Sequence, residues 1–147
     1  MALHVEGSYT FKAPREEVFK LLLDPESLKT CIPGCESMAL IGPDTYEATV
    51  KVGIAAVKGT YKGQVRISDK VEPEQYRMAI EGKGGPGFGK GSALITLIEN
   101  EGATTVKVAG DGQVGGLIAG VAQRLVGGVS KMMMDQFFGC MAKKVEP

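Results

Sequence analysis

Residues 107–144 read "KVAGDGQVGGLIAGVAQRLVGGVSKMMMDQFFGCMAKK", and the change of period inside them decides the architecture. As far as Val114 the residues alternate as in a strand. From Gly115 the apolar positions recur at helical spacing, with Leu117, Ile118, Val121, Leu125, Val129, Met132 and Met133 on one broad face. A continuous helix over this run of about 30 residues would be ~40 Å long at ~1.5 Å per residue. Gly115, Gly116, Gly120, Gly127 and Gly128 lie in it or at its start, each costing about 1 kcal/mol against alanine in a helix interior. Two readings offset that cost: close packing against a sheet, or a pocket enlarged by the missing side chains.

The far end of the helix differs from its start. At about 100° per residue, Met134, Phe137, Phe138 and Met141 fall largely opposite Val121 and Leu125. A helix apolar all round is buried, or its second face meets a partner or a membrane. Flexible methionines and aromatics suit an adaptable contact surface, so these four residues are the expected partner or membrane contact.

Upstream the period is two. "TYEATVKVGI" (45–54) sets Tyr46, Ala48, Val50, Val52 and Ile54 on one face against Glu47, Thr49 and Lys51 on the other. "KGTYKGQVRISDKV" (58–71) repeats this with Tyr61, Gly63, Val65 and Ile67, and "EQYRMAIEGKG" (74–84) with Tyr76, Met78 and Ile80. "GFGKGSALITLIEN" and "ATTVKVAGDGQV" complete an antiparallel meander. Before it, residues 2–12 read as a strand and Pro14 opens a helix. Asp24-Pro25 stops that helix and caps a second short one, "PESLKT". Strand, helical elbow, about six strands and a long helix make an α+β fold with its helices on one side of the sheet. A strongly curved sheet holding a long helix generally leaves a cavity.

The elbow exits through "LKTCIPGCESM" (28–38), where Cys31 and Cys35 invite a metal or redox reading. A zinc site needs three or four ligands, and the chain has one histidine, His4, with the third cysteine, Cys140, far along the last helix. Pro33-Gly34 breaks any helix that would bring the two thiols onto one face. The stretch reads as a bend, no metal site is expected, and three cysteines without an export signal are expected to stay reduced.

"EGKGGPGFGKGSA" (81–93) partly matches two nucleotide-binding patterns. Both need a helix directly after the strand, and here another alternating strand follows. The glycines read as a hairpin that bends or admits something close to the backbone. Phe88 at its tip, with Ile32-Pro33 across from it, would form the lips of a cavity.

The 147 residues suit one domain, 1–147, and 44% hydrophobic content can fill a core. Seventeen basic and seventeen acidic residues cancel, leaving no field for nucleic acid. No stretch approaches a membrane span, and the N-terminus does not read as a signal peptide. Acid–base or nucleophilic catalysis has little support. Glu16-Glu17 and Glu99/Glu101 read as solvated, and Asp111, between two glycines, is the one carboxylate to check for a pocket location.

"YTFKAPREEVFKLLLDPESLKTCIPGCESM", "GKGGPGFGKGSA" and "GQVGGLIAGVAQRL" together resemble the carbon monoxide dehydrogenase G-subunit family, of the START-like (Bet v 1-like, SRPBCC) superfamily. The resemblance implies a helix-grip fold: seven curved antiparallel strands around a long C-terminal helix, enclosing a largely apolar cavity. It also implies a partner, a molybdenum-containing carbon monoxide dehydrogenase or related hydroxylase, and a role at the inner face of the cell membrane for an otherwise cytoplasmic protein. Some members carry a membrane-reaching tail. This sequence ends at Pro147 without one, which leaves the Met134–Met141 face as the expected contact. The resulting expectation is a non-enzymatic carrier of a quinone-like apolar molecule, without a cofactor, and the alternative is a ligand-free adaptor acting through the last helix. The expected lining is Val50, Val52, Ile54, Tyr61, Val65, Met78, Ile80, Leu117, Val121 and Leu125, with Ile32, Pro33, Phe88 and Gly89 as the lips. Superfamily enzymes suggest a third option, a hydrolase or cyclase with Asp111 or Tyr61 in the pocket.

Overall fold

An unbroken meander, closed by the first strand returning beside the last, is the frame of the molecule. The computed structural model describes residues 2–53, 58–85, 87–116 and 123–145, with side chains of the last segment described from residue 128. In chain order the elements are β1 (Ala2–Phe11), α1 (Arg15–Leu23), α2 (Pro25–Cys31), β2 (Cys35–Gly42), β3 (Thr45–Val52), β4 (Gly59–Val71), β5 (Gln75–Gly84), β6 (Gly87–Asn100), β7 (Ala103–Gly115) and α3 (Gln123–Val145). The seven strands form one antiparallel sheet in the order β1-β7-β6-β5-β4-β3-β2. This is the expected α+β, helix-grip arrangement.

The elbow follows from its sequence. Asp24 caps α2 by accepting from the Ser27 amide at 3.1 Å and the Ser27 hydroxyl at 2.8 Å, with Pro25 as the first helical residue. Pro14 is the N-cap of α1 rather than its first residue, and it offers no side-chain cap. The missing acceptor comes from across the fold: the Glu99 carboxylate of β6 accepts the Arg15 amide at 2.6 Å. Glu99 is exposed, as expected of a solvated charge, and in addition caps α1. Tyr46 on β3 donates its hydroxyl to the Leu23 carbonyl at 2.6 Å, fixing the far end of α1 to the sheet.

The side chains that alternate inward build the core. Phe11, Val106, Leu97, Ile95, Tyr76, Ile67 and Tyr46 come from six strands and are all buried. Phe19 of α1 meets Tyr76 edge to face at 5.6 Å. Thr104, fully buried among them, donates its hydroxyl to the Ala13 carbonyl at 2.7 Å, as a buried polar group must.

The last helix corrects one expectation. Phe138 is 6% exposed and Met141 0%, and Met134 and Phe137 pack against the same cluster. Phe138 stacks on Tyr9 at 4.4 Å and meets Phe11 edge to face at 6.5 Å. Two of the four residues on the face expected to receive a partner are core, and the other two are half-buried against it. An angular count assumes one apolar neighbour, whereas α3 has β1 on one side and the α1–α2 elbow on another. Gly128, where close packing or pocket space was expected, is exposed, with nothing within 4 Å of where a Cβ would sit.

Cys31 of α2 and Cys140 of α3 are joined as a disulfide, with Cα atoms 5.4 Å apart. The expectation of three reduced thiols is corrected to one free thiol, Cys35. Packing of α2 against α3 brings the bonded pair together, and a separation of 109 residues leaves no local pattern to read.

Candidate functional site

Among the described residues, the inner face of the sheet has a filled half and an open half. The filled half lies under α1 and the C-terminal part of α3. In the open half the inward positions lose their bulk. Gly63, Gly82, Gly89, Gly91, Gly110 and Gly112 occupy inward positions across β4 to β7, with Gly63 opposite Gly82 and Gly91 opposite Gly112. Backbone proximity accounts for several of them. A Cβ on Gly91 would stand 2.8 Å from the Asp111 carbonyl oxygen, and one on Gly112 2.9 Å from that of Lys90. Cβ atoms at these positions would collide with the neighbouring strand, so the glycines permit the tight coil of the sheet.

Beside this glycine floor lies an apolar patch made of the residues expected to line a cavity. Val50 pairs with Tyr61 across β3 and β4, Val65 with Ile80 across β4 and β5, and Val52 follows along the same face. Val50, Val52, Tyr61, Val65 and Met78 are half-buried, while Ile80 is 45% exposed. Among the described residues of this half, no charged side chain holds an inward position on the sheet. Apolar side chains left open on a concave surface are the usual lining of a lipophilic site. Tyr61 supplies a phenol there, and burial pushes its pKa up, so it remains a neutral hydroxyl.

The remaining expected residues divide. Ile32 and Pro33 lead into Gly34, whose φ of +77° and contact with the Lys51 carbonyl admit no other residue without strain. The Lys51 amide donates to the Gly34 carbonyl at 2.8 Å, so the elbow exit abuts β3 between Val50 and Val52. Gly89 holds an inward position opposite Gly82 and Val114. Phe88 is half-exposed as expected, but it sits over Gly115 and borders an outer depression with Lys62, Lys83 and Lys90. Its alternation with Gly89 turns the ring away from the inner face. Ile54, Leu117 and Val121 lie outside the described residues, as does the Leu125 side chain.

Asp111 also faces outward. Its carboxylate meets His4 Nδ1 at 2.8 Å, while His4 Nε2 lies 3.2 Å from Glu6. These bonds, Asp111 first, raise the His4 pKa above 6.5. Alternation carried the signal: Val106 and Val108 are inward, so Asp111 cannot be. The pair borders an outer groove of about 700 Å³ that also takes in Arg66, Glu81 and Lys90, and of the described residues of the expected lining only Ile80 touches it. Its mixed charges suit solvent better than an apolar molecule, and no group of three or more metal-ligating side chains gathers among the described residues. No helix among the described residues is long and apolar enough to cross a membrane.

The profile of the carbon monoxide dehydrogenase G-subunit (CoxG) family matches residues 7–146. A conserved protein from Geobacillus kaustophilus is 39% identical, with a TM-score of 0.94 over 97% of this chain and 95% of that one. A START superfamily protein from Mycobacterium smegmatis aligns at 12% identity, with a TM-score of 0.72 over 97% of this chain and 96% of that one. The Zhui aromatase/cyclase from Streptomyces sp. R1128 aligns at 14% identity, with a TM-score of 0.72 over 99% of this chain and 94% of that one. The last two likenesses establish the START-like fold alone. A comparison with curated proteins finds no match.

Proposed function

The chain belongs to the CoxG family of carbon monoxide dehydrogenase, and on that premise we propose that it is a non-enzymatic carrier, one domain over 1–147, for an apolar small molecule of quinone-like character. It serves a molybdenum-containing carbon monoxide dehydrogenase or a related hydroxylase and helps that enzyme associate with the inner face of the cell membrane. The observation that supports the reading is the open apolar patch of Val50, Val52, Tyr61, Val65, Met78 and Ile80 beside a floor of glycine backbone. Such a surface binds by excluding water, with few polar contacts.

Two other readings draw less support. The adaptor reading depended on Met134, Phe137, Phe138 and Met141 as a free face, and Phe138 and Met141 are core. Of the two residues expected to serve a hydrolase or cyclase, Asp111 lies on the opposite side of the sheet from the patch, and Tyr61 lies on it as a neutral phenol with no acid or base among the described residues beside it on that face.

The test is organic extraction of the purified protein followed by mass spectrometry, with thermal shift on adding decylubiquinone. A stoichiometric isoprenoid in the extract, or a rise in melting temperature, is the expected result. An empty extract with no thermal shift overturns the carrier reading.

A further inference from the structure

Cys31 closes α2, and Ile32, Pro33 and Gly34 run directly from it onto Lys51 at the β3 side of the apolar patch. Cys140 sits on α3, one residue before the fully buried Met141. The bond between them ties the anchored half of the last helix to the segment that borders the open half of the inner face. Other ties at the elbow exit are the Cys35 amide to the Ile32 carbonyl, at 3.1 Å, and the Lys51 amide to Gly34. These two run within the bend or to β3, so the disulfide is the covalent coupling between elbow and helix.

We propose that the Cys31–Cys140 disulfide is a redox latch on the inner-face site. Bonded, it holds the Ile32–Gly34 lip in register with α3 and slows ligand exchange; reduced, it lets the lip move independently and exchange quickens. The inference rests on the carrier reading above.

The chemistry is thiol–disulfide exchange. The Cys31 sulfur is buried and Cys140 half-buried, so an incoming thiolate reaches the Cys140 Sγ. The thiolate of a small dithiol bonds to that sulfur, the S–S bond breaks, and Cys31 leaves as a thiolate that takes up a proton. The second thiol of the reagent then displaces Cys140. Two electrons pass from the dithiol, which ends as a disulfide, and the protein gains two thiols. Cys35, four positions from Cys31, is poorly set to attack from within. Its thiol donates to the Ser37 carbonyl at 3.2 Å, and burial pushes its pKa up.

The test follows release of N-phenyl-1-naphthylamine, a neutral lipophilic fluorophore that a dithiol does not reduce. Stopped-flow dissociation is compared for the air-oxidised chain, the same chain treated with dithiothreitol, and Cys140→Ser. Release is expected to be roughly tenfold faster from the reduced chain and from Cys140→Ser, because removing a long-range cross-link favours local opening. Dithiothreitol should leave Cys140→Ser unchanged. Hydrogen exchange at the Lys51 amide reads the lip without any ligand and should quicken on reduction. Equal release rates from oxidised and reduced chains, or three free thiols after air oxidation, overturn the latch. If the fluorophore fails to bind at all, the carrier reading falls. The Lys51 exchange then decides the latch, and an unchanged rate on reduction overturns it.

Discussion

Phe138 of the last helix lies stacked on Tyr9 of the first strand, ring centroids 4.4 Å apart and planes within 15°. The Tyr9 hydroxyl, beyond the stack, donates to Asp135 at 2.7 Å, and Lys131 meets the same carboxylate at 2.6 Å. The helix is thus seated by an aromatic pair inside and a charged network at the rim, and its apolar C-terminal turns hold the fold together.

Phe138→Ala should therefore act on stability first. Truncating a buried phenylalanine costs about 3–5 kcal/mol, and urea unfolding should register most of it. Met132→Ser, at a side chain 40% exposed on the same helix, should stay within about 0.5 kcal/mol of the parent. A partner face at Phe138 would give the reverse: normal stability and lost association.

Ile80→Asp separates folding from binding at the apolar patch. At 45% exposure the carboxylate stays hydrated, so the melting temperature should move little, while uptake of decylubiquinone in equilibrium dialysis should be lost. Unchanged uptake by the folded variant would remove Ile80 from the site.

Glu99→Gln weakens the acceptor that meets the Arg15 amide at the start of α1. A neutral amide oxygen can still accept, but without the charge that the positive helix end favours. The expected loss is about 0.5–1 kcal/mol in urea unfolding, and Glu99→Ala should cost about 1–2 kcal/mol.

His4 gives the pH dependence. Its folded pKa is raised above 6.5, first by the hydrogen bond to Asp111 and then by Glu6. Its contribution is therefore complete below pH 6.5 and fades as pH rises through the higher folded value. An NMR titration of the ring should show a midpoint above 6.5, and His4→Gln should remove the fall of melting temperature between pH 6.5 and that midpoint. A midpoint at or below 6.5 contradicts the pairing with Asp111.

Alternation and capping made much of this legible in the sequence. Val50, Val52, Tyr61, Val65, Met78 and Ile80 were placed on one face by their period of two, and the register brings them side by side. Asp24-Pro25 gave the elbow its cap. What escaped were relations between segments far apart in the chain. Neither Cys31–Cys140 nor Glu99 on the Arg15 amide leaves a local spacing to detect, and the burial of Phe138 depends on a second layer that an angular count cannot supply. Phe88 and Asp111 were within reach, since the parity of Gly89 and Val108 already turned both outward.

The glycine floor has a consequence for how the site can change. A pocket walled by side chains can be widened by trimming them, but Gly63, Gly91 and Gly112 have nothing left to trim. Substitution there can only narrow the space or push the strands apart. In a carrier built on this face, room for a larger guest would come from Val65, Met78 or Ile80 on the neighbouring positions. If the chain carries an apolar guest, one wall is fixed at the limit of its chemistry while the opposite choices are free, and selectivity would drift along one side of the site and not the other.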